Sequence, residues 1–368
     1  MRHAMIMAGG VGTRLWPMSR AERPKQVIPF IPQGAPGGTP RTLLQVAADR
    51  LEGLVPQDRR YICTGERYRG IIRDSMPEFT DDRILGEPVG RDTVNAVGLT
   101  AAVLERADPE AVFAVLTADH VIRPQQTFAR AMDIGFRLVE AEHKRLVSFG
   151  VTPTYPATGF GYIQRGGPID GFDDEAFTLS RFVEKPPLER AERYLEAGGF
   201  YWNAGMFVFH AATFMELLGR YQPESFAGLT RIAESWAAPD RTKVLNDVYP
   251  TLPKISVDYA IMEPAAEDSG AELCGVRMDV EWLDVGSWPS FAETLEGDEA
   301  GNRPSGGPLI TEDASGNLAV SDDPDHTIAL VGCADLVVVH TGDATLVMPR
   351  QRAQDLKKLH AKLPGELR

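Results

Sequence analysis

The first 150 residues alternate between two hydrophobic rhythms. Short apolar runs at Ala4–Ala8, Val112–Leu116 and Leu146–Gly150, with a further strand from Arg60 to Thr64, read as strands of a buried sheet. Between them the apolar positions take helical spacing. Residues 41–54 place Leu43, Leu44, Ala47 and Leu51 on one face, and Tyr68 to Glu78 reads as a short helix. Thr93 to Arg106 is a helix that Asp92 or Thr93 would cap, and Pro124 to Glu142 is a long helix with proline in its first turn. Strands alternating with helices predict an α/β fold: a Rossmann-like mixed, mostly parallel sheet flanked by helices.

The following stretch is less regular. GFGYIQ and FTLSRFVEKP read as strands around a Gly-Asp-rich turn at 166–175, and Leu188 to Ala197 reads as a helix. GMFVFH is a strand, helices follow over 211–220, 224–236 and 241–249, Ser256 to Glu263 is a short helical piece, and Ala271 to Leu283 is strand-like. GDEAGNRPSGGP, from Gly297, has linker composition. Beyond it, short β-like runs recur at Leu309–Thr311, Leu318–Val320, Thr327–Val331, Leu336–His340 and Leu346–Met348. These predict a small β module or a few turns of β-solenoid, closed by a helix from Arg350 to Leu363. The expected domains are 1–296 and 297–368.

Composition narrows the function. A net charge of −14 argues against a nucleic-acid partner, because phosphate backbones require a basic face. No apolar run is long enough to span a bilayer, and the N-terminus lacks a signal-peptide layout, so a cytoplasmic location is expected. Cys63, Cys274 and Cys333 are few and far apart, which suits a reducing compartment and small buried side chains rather than a disulfide frame. The first 26 residues reverse the overall charge: Arg2, Arg14, Arg20, Arg23 and Lys25 stand against Glu22 alone.

That basic stretch contains the most specific motif. The strand from Ala4 runs into Gly9, Gly10 and Gly12, followed by Thr13, Arg14 and, further on, Lys25 between Pro24 and Gln26. A buried strand feeding a glycine-rich turn brings backbone N–H groups to phosphate. A dinucleotide fingerprint is excluded by the missing third glycine, and a Walker A loop by the distance from Gly12 to Lys25. The string AGGVGTRLWPMSRAERPKQ resembles the N-terminal motif of the sugar-1-phosphate nucleotidylyltransferases, with wording similar to the mannose-1-phosphate guanylyltransferase branch. EPVGRDT (87–93), TADHVI (117–122), TGFGYI (158–163), FVEKP (182–186), WNAGMF (202–207), ISVDYAIME (255–263) and WLDVGSW (282–288) resemble further blocks of that family, in its order. HTIALVGCADLVVV and RAQDLKKL resemble its C-terminal module, implying a short left-handed β-helix.

The chemistry these residues suit is attack by a sugar-phosphate oxygen on the α-phosphorus of a nucleoside triphosphate, with pyrophosphate leaving in line. Both reactants are anionic, so positioning and charge neutralisation dominate. Arg14 can fork across triphosphate oxygens, and Lys25 acts as a point charge. Asp119 and Asp284 each follow an apolar strand, where α/β proteins place ligands; the resemblance implies that they hold Mg²⁺. It also implies a GT-A-like catalytic fold, with Gly9, Gly10, Gly12, Thr13, Arg91, Asp92 and Thr93 around the nucleotide. On the same ground Gly161, Glu184, Lys185 and Asn203 are expected on the sugar phosphate, Glu184 with its hydroxyls and Lys185 with its phosphate. His120 reads as structural, and Asp258 as a helix cap or as a residue supporting the metal or the sugar side. One departure stands out: the family commonly reads R-N-T-A-P where this chain has Arg91-Asp92-Thr93-Val94-Asn95, so the choice of base is open at Asp92.

The implied substrates are GTP and mannose 1-phosphate, with GDP-mannose as product. The same reaction on another sugar and nucleotide, or a non-catalytic nucleotide-sugar sensor, are the alternatives. Retention of Arg14, Lys25, Asp119 and Asp284 favours an enzyme over the sensor. Because the chain ends at Arg368, no isomerase activity is expected, and a homodimer through the C-terminal module is implied by resemblance alone.

Overall fold

The computed structural model describes residues 1–10, 12–31, 40–268 and 270–368, except for the side chains of Phe30 and Asp173. Val11, inside the glycine motif, lies outside the described residues. The chain divides into two compact units, residues 1–9, 48–117 and 122–281 in one, and 10–47, 118–121 and 282–368 in the other. This division does not follow a single cut at 296/297.

The larger unit is built on a nine-stranded sheet. Its strands are β1 (Arg2–Ala8), β2 (Arg60–Gly65), β3 (Ile84–Glu87), β4 (Val112–Thr117), β5 (Arg145–Val151), β6 (Tyr162–Pro168), β7 (Ala176–Val183), β8 (Phe200–His210) and β9 (Glu272–Arg277). The spatial order is β3-β2-β1-β4-β8-β5-β9-β7-β6. Pairing is parallel from β3 through β4 and between β5 and β9. It is antiparallel wherever β8 pairs and along β9-β7-β6. The sheet is therefore more evenly mixed than expected. Apolar runs report burial but not direction, and the short turn after Pro168 returns β7 beside β6 as a hairpin.

Helix α1 (Thr93–Ala107) is buried continuously from Val94 to Leu104 and packs against the later helices α4 (Ala211–Tyr221) and α5 (Pro223–Glu234). Gly98 allows that approach: a Cβ there would meet Leu229 Cδ1 at 2.6 Å. The Asp92 side chain accepts from Thr93 N–H at 2.9 Å and caps the helix. Helix α2 (Gln125–Ala141) buries one face, and Pro124 stands at its N-cap rather than within its first turn. Helix α3 (Leu188–Ala197) matches the expected bounds.

In the smaller unit two parallel ladders alternate along the chain. Strands β10 (Arg303–Ser305), β12 (Leu318–Ser321) and β14 (Leu336–Thr341) form one, and β11 (Leu309–Glu312) and β13 (Ile328–Val331) the other. Strand β15 (Ala344–Pro349) closes the first ladder in antiparallel fashion. This alternation is the coiling of a solenoid. Val337, Val338 and Val339 are all buried because β14 has cover on both faces. Val338 packs with Ala319, Ile328 and Leu330. Val337 and Val339 pack with Leu15, Trp16, Val285 and Trp288. The segment after Gly10 therefore forms part of this core. Trp16 Nε1 donates to Leu367 O at 2.7 Å, and Trp288 Nε1 to Trp16 O at 2.9 Å.

The expected terminal helix is broken up, with a 3₁₀ segment (Arg350–Asp355) leading into a short α-helix (Leu356–His360). Ala353 and Leu356 are its buried residues, and their three-residue spacing suits a 3₁₀ turn.

Candidate active site

The smaller unit gathers the two cations and two carboxylates expected at the triphosphate. Gly12 has φ +71°, and a Cβ there would lie 2.8 Å from Lys25 Cβ, so both backbone and space require glycine. Leu15 N–H and Ser19 Oγ both donate to Gly12 O, at 2.8 and 2.6 Å, fixing the turn that carries Thr13 and Arg14. Lys25 is buried, and its Nζ donates to Asp119 Oδ2 at 2.7 Å and to Val285 O at 3.3 Å. Val285 N–H donates to Asp119 O at 2.9 Å, joining the TADH and LDVG segments. Arg14 and Asp284 flank Gly286: a Cβ built there would meet Arg14 Nη2 at 3.1 Å and Asp284 Oδ1 at 3.2 Å.

Burial raises the pKa of Asp119, but the charge of Lys25, that of His120 when its ring is protonated, and the Lys25 hydrogen bond outweigh it and hold the carboxyl at about 2. His120 is buried beneath Trp282, whose Nε1–H donates to His120 Nδ1 at 3.1 Å. Indole N–H can only donate, so neutral His120 carries its proton on Nε2, 3.9 Å from Asp119 Oδ1.

Asp119, His120 and Asp284 each place a ligand atom within 4.8 Å of the other two. Asp284 Oδ1 is buried without a hydrogen-bond partner. An orphaned carboxylate oxygen beside a second carboxylate fits a small, hard divalent cation, which takes one or two carboxylates and fills its shell with phosphate oxygens and water.

The larger unit assembles the residues expected on the sugar phosphate. Asn203 lies on β8 just before Gly205 (φ +64°), where the pairing with β5 shifts register. Asn203 Oδ1 accepts from Ser148 Oγ and Gly205 N–H, both at 3.0 Å, and Nδ2 donates to Asp258 Oδ1 at 2.9 Å. These contacts fix the amide's orientation. Gly161 O accepts from Asn203 N–H at 2.8 Å. A Cβ on Gly161 would lie 2.5 Å from Glu184 Oε2. Glu184 pairs with Lys185 Nζ through Oε1, and its N–H donates to Glu263 Oε1 at 2.9 Å. Lys185 has φ +46°. Burial opposes its charge, but the Glu184 hydrogen bond and the carboxylates of Glu184 and Asp258 raise its pKa. Asp258 opens a π-helix (Asp258–Met262); burial first, then the Glu184 charge, lifts it to about 7.

A third group borders the β1 and β3 ends. Glu87 is buried, with its Oε1 accepting from Tyr249 O–H at 2.6 Å and its Oε2 4.0 Å from where a Cβ on Gly9 would stand. Burial pushes Glu87 to about 7 and Tyr249 well above its ordinary value. Arg91 O accepts from Asn95 Nδ2 at 3.0 Å, and Thr93 Oγ1 accepts from Val257 N–H at 2.9 Å. Asp92 is exposed at φ +65° and caps α1.

Arg14, Lys25, Asp119 and Asp284 thus lie together in one unit, along with Gly10, Gly12 and Thr13. Gly161, Glu184, Lys185 and Asn203 lie together in the other, joined by Asp258; Gly9, Arg91, Asp92 and Thr93 belong to that unit too. Sequence reasoning missed Glu87, Tyr249, Ser148, Glu263 and Trp282. Glu87 opens a recognised motif, but its buried state depends on Tyr249, far along the chain.

The nucleotidyl transferase family model matches residues 3–301, and the MannoseP isomerase/GMP-like beta-helix domain matches residues 307–363. A mannose-1-phosphate guanylyltransferase of Klebsiella pneumoniae is 37% identical over 96% of this chain and 72% of its own length. One from Escherichia coli K12 is 36% identical over 97% of this chain and 72% of its own. A crystal structure from Thermus thermophilus, described as a mannose-1-phosphate geranyltransferase, superposes with a TM-score of 0.83 at 32% identity and covers 98% of both chains.

Proposed function

Because the chain belongs to the mannose-1-phosphate guanylyltransferases of the nucleotidyl transferase family, we propose that it transfers GMP from GTP to α-D-mannose 1-phosphate, forming GDP-mannose and pyrophosphate. The observation that carries the reading is the group formed by Arg14, buried Lys25, Asp119 and the orphaned oxygen of Asp284 within one unit. A non-catalytic relative would be expected to lose the loop cations or the metal-type carboxylates, and this chain retains all four.

A phosphate oxygen of the sugar phosphate forms a bond to the α-phosphorus, and the bond from that phosphorus to the α,β-bridging oxygen breaks. Pyrophosphate carries away the electron pair. The attacking oxygen is already ionised at neutral pH, so no residue need act as a general base. Lys25, shielded from solvent, stabilises charge developing at the α-phosphate, and Arg14 orients the triphosphate through paired N–H groups. Asp119 and Asp284 would hold Mg²⁺, which supplies charge neutralisation on the triphosphate when bound. Glu184 and Asn203 bind sugar hydroxyls, and Lys185 binds the sugar's phosphate. The Arg91–Thr93 turn contributes to the nucleotide side.

The test is a substrate matrix. Pyrophosphate release is measured with GTP, ATP, UTP and dTTP against mannose, glucose and N-acetylglucosamine 1-phosphates, with and without Mg²⁺. GTP with mannose 1-phosphate should turn over fastest, and only with Mg²⁺. Preference for another pair would overturn the substrates, and no turnover with any pair would overturn the reaction.

A further inference from the structure

Three side chains outside these groups converge at the amino-terminal end of the parallel strands. Glu110 precedes β4, His143 lies between α2 and β5, and His210 ends β8, where it pairs in register with Val112. The rings of His143 and His210 stack with centroids 4.0 Å apart and planes 9° apart. Each of the three residues offers a ligand atom within 4.8 Å of the other two.

His210 is 6% exposed. Its Nδ1 lies 3.2 Å from Thr213 Oγ1, and its Nε2 is buried with no hydrogen bond of good geometry, the ring's remaining polar neighbour being the Pro109 carbonyl, a weak backbone acceptor for it. An unsatisfied buried nitrogen is costly. Stacking does not remove that cost, and protonation would set like charges face to face. One cation held by both residues supplies the missing partner, and it requires His143 to turn out of the stack, because imidazole lone pairs lie in the ring planes. Met1 contributes its amino group to the same loop by donating to Glu110 O at 3.0 Å.

We propose that Glu110, His143 and His210 form a site for a borderline divalent transition-metal ion, Zn²⁺ by its ligand chemistry. Two imidazoles and one carboxylate leave a fourth position for water, and nitrogen donors disfavour Mg²⁺. Zn–N bonds of about 2.0–2.1 Å set tetrahedral ligand atoms about 3.4 Å apart. The three groups close to that spacing by rotating exposed Glu110 and half-buried His143 about their side-chain bonds. The bound ion ties together the loop before β4, the α2–β5 loop and the β8–α4 junction.

The experiment titrates the full chain, stripped with chelator, with Zn²⁺ in Mg²⁺-containing buffer by calorimetry. An Asp284→Asn background separates any Zn²⁺ taken by Asp119, His120 and Asp284. In that background one Zn²⁺ per chain should bind. His143→Ala, and separately Glu110→Gln, should weaken that event at least about tenfold. In the otherwise unaltered chain His143→Ala should leave Mg²⁺-supported pyrophosphate release unchanged, and circular dichroism should confirm its fold. Zn²⁺ should raise the melting temperature of the Asp284→Asn chain but not of Asp284→Asn with His143→Ala. No Zn²⁺ bound in the Asp284→Asn chain, or equal affinity with and without His143→Ala, would overturn the site.

Discussion

Lys25 holds its charge almost out of water, with 9% of its side chain exposed, so its field is screened less than that of a surface lysine. Lys25→Ala is expected to slow single-turnover pyrophosphate release by at least about 100-fold. It should also lower the melting temperature, because Asp119 loses its counter-charge. Gly161 makes a different kind of contribution, through space. The Cβ of an alanine there would stand 2.5 Å from Glu184 Oε2 and 3.2 Å from Asn203 Cβ. Gly161→Ala should raise the KM for the sugar phosphate by about 10-fold or more while leaving the KM for GTP within about twofold. Steady-state kinetics with each substrate varied in turn separates the two, and a parallel rise in both would contradict the assignment of Gly161 to the sugar.

At the scale of elements, the start of α1 is the most exacting piece. Asp92 combines φ +65° with ψ −175°, a region that favours glycine, while its carboxylate caps Thr93 N–H. Asp92→Ala keeps the strain and loses the cap, for an expected loss of about 1–3 kcal/mol in urea denaturation. Asp92→Asn retains an acceptor oxygen and should cost less than about 1 kcal/mol. How much of this architecture was legible in advance depended on how local its cause was. Apolar runs marked β1, β4 and β5, because a strand buried on both faces must be apolar throughout. The glycine turn and Asp119 follow such runs, whereas Asp284 ends a short, partly exposed strand (Glu281–Asp284) and was marked by its WLDVGSW motif rather than by burial. The direction of β8 was not legible, since direction follows from connections rather than composition. The partnership of Glu87 with Tyr249 and of Ser148 with Asn203 was hidden by the sequence distance between them. The three consecutive buried valines of β14 carry a signal of their own: a solenoid strand apolar on both faces needs a second cover, which Leu15, Trp16, Met18, Ile28 and Ile31 supply.

For the whole molecule, buried carboxyls set the dependence of stability on pH. Glu87 and Asp258 titrate at about 7 in the folded protein, above their ordinary values of 4.5 and 3.8. The folded state therefore binds more protons than the unfolded state between those values, so their contribution is complete below about pH 4 and lost as pH rises to about 7. Asp119 acts oppositely; its folded value of about 2 lies below 3.8, so its contribution is present above about pH 4 and lost as pH falls towards 2. The melting temperature should accordingly fall between pH 5 and 7.5, and Glu87→Gln should remove about 1–3 kcal/mol of that decline while preserving an acceptor for Tyr249. A slope unchanged by Glu87→Gln would show that Glu87 is already ionised. The central claim is the bond that is made and broken, and phosphorus NMR of the reaction products reads it most directly. With GTP, mannose 1-phosphate and Mg²⁺, the spectrum should show GDP-mannose and pyrophosphate accumulating in equal amounts, with neither GDP nor free phosphate formed. Release of GDP and orthophosphate, or an unchanged spectrum, would contradict attack at the α-phosphorus.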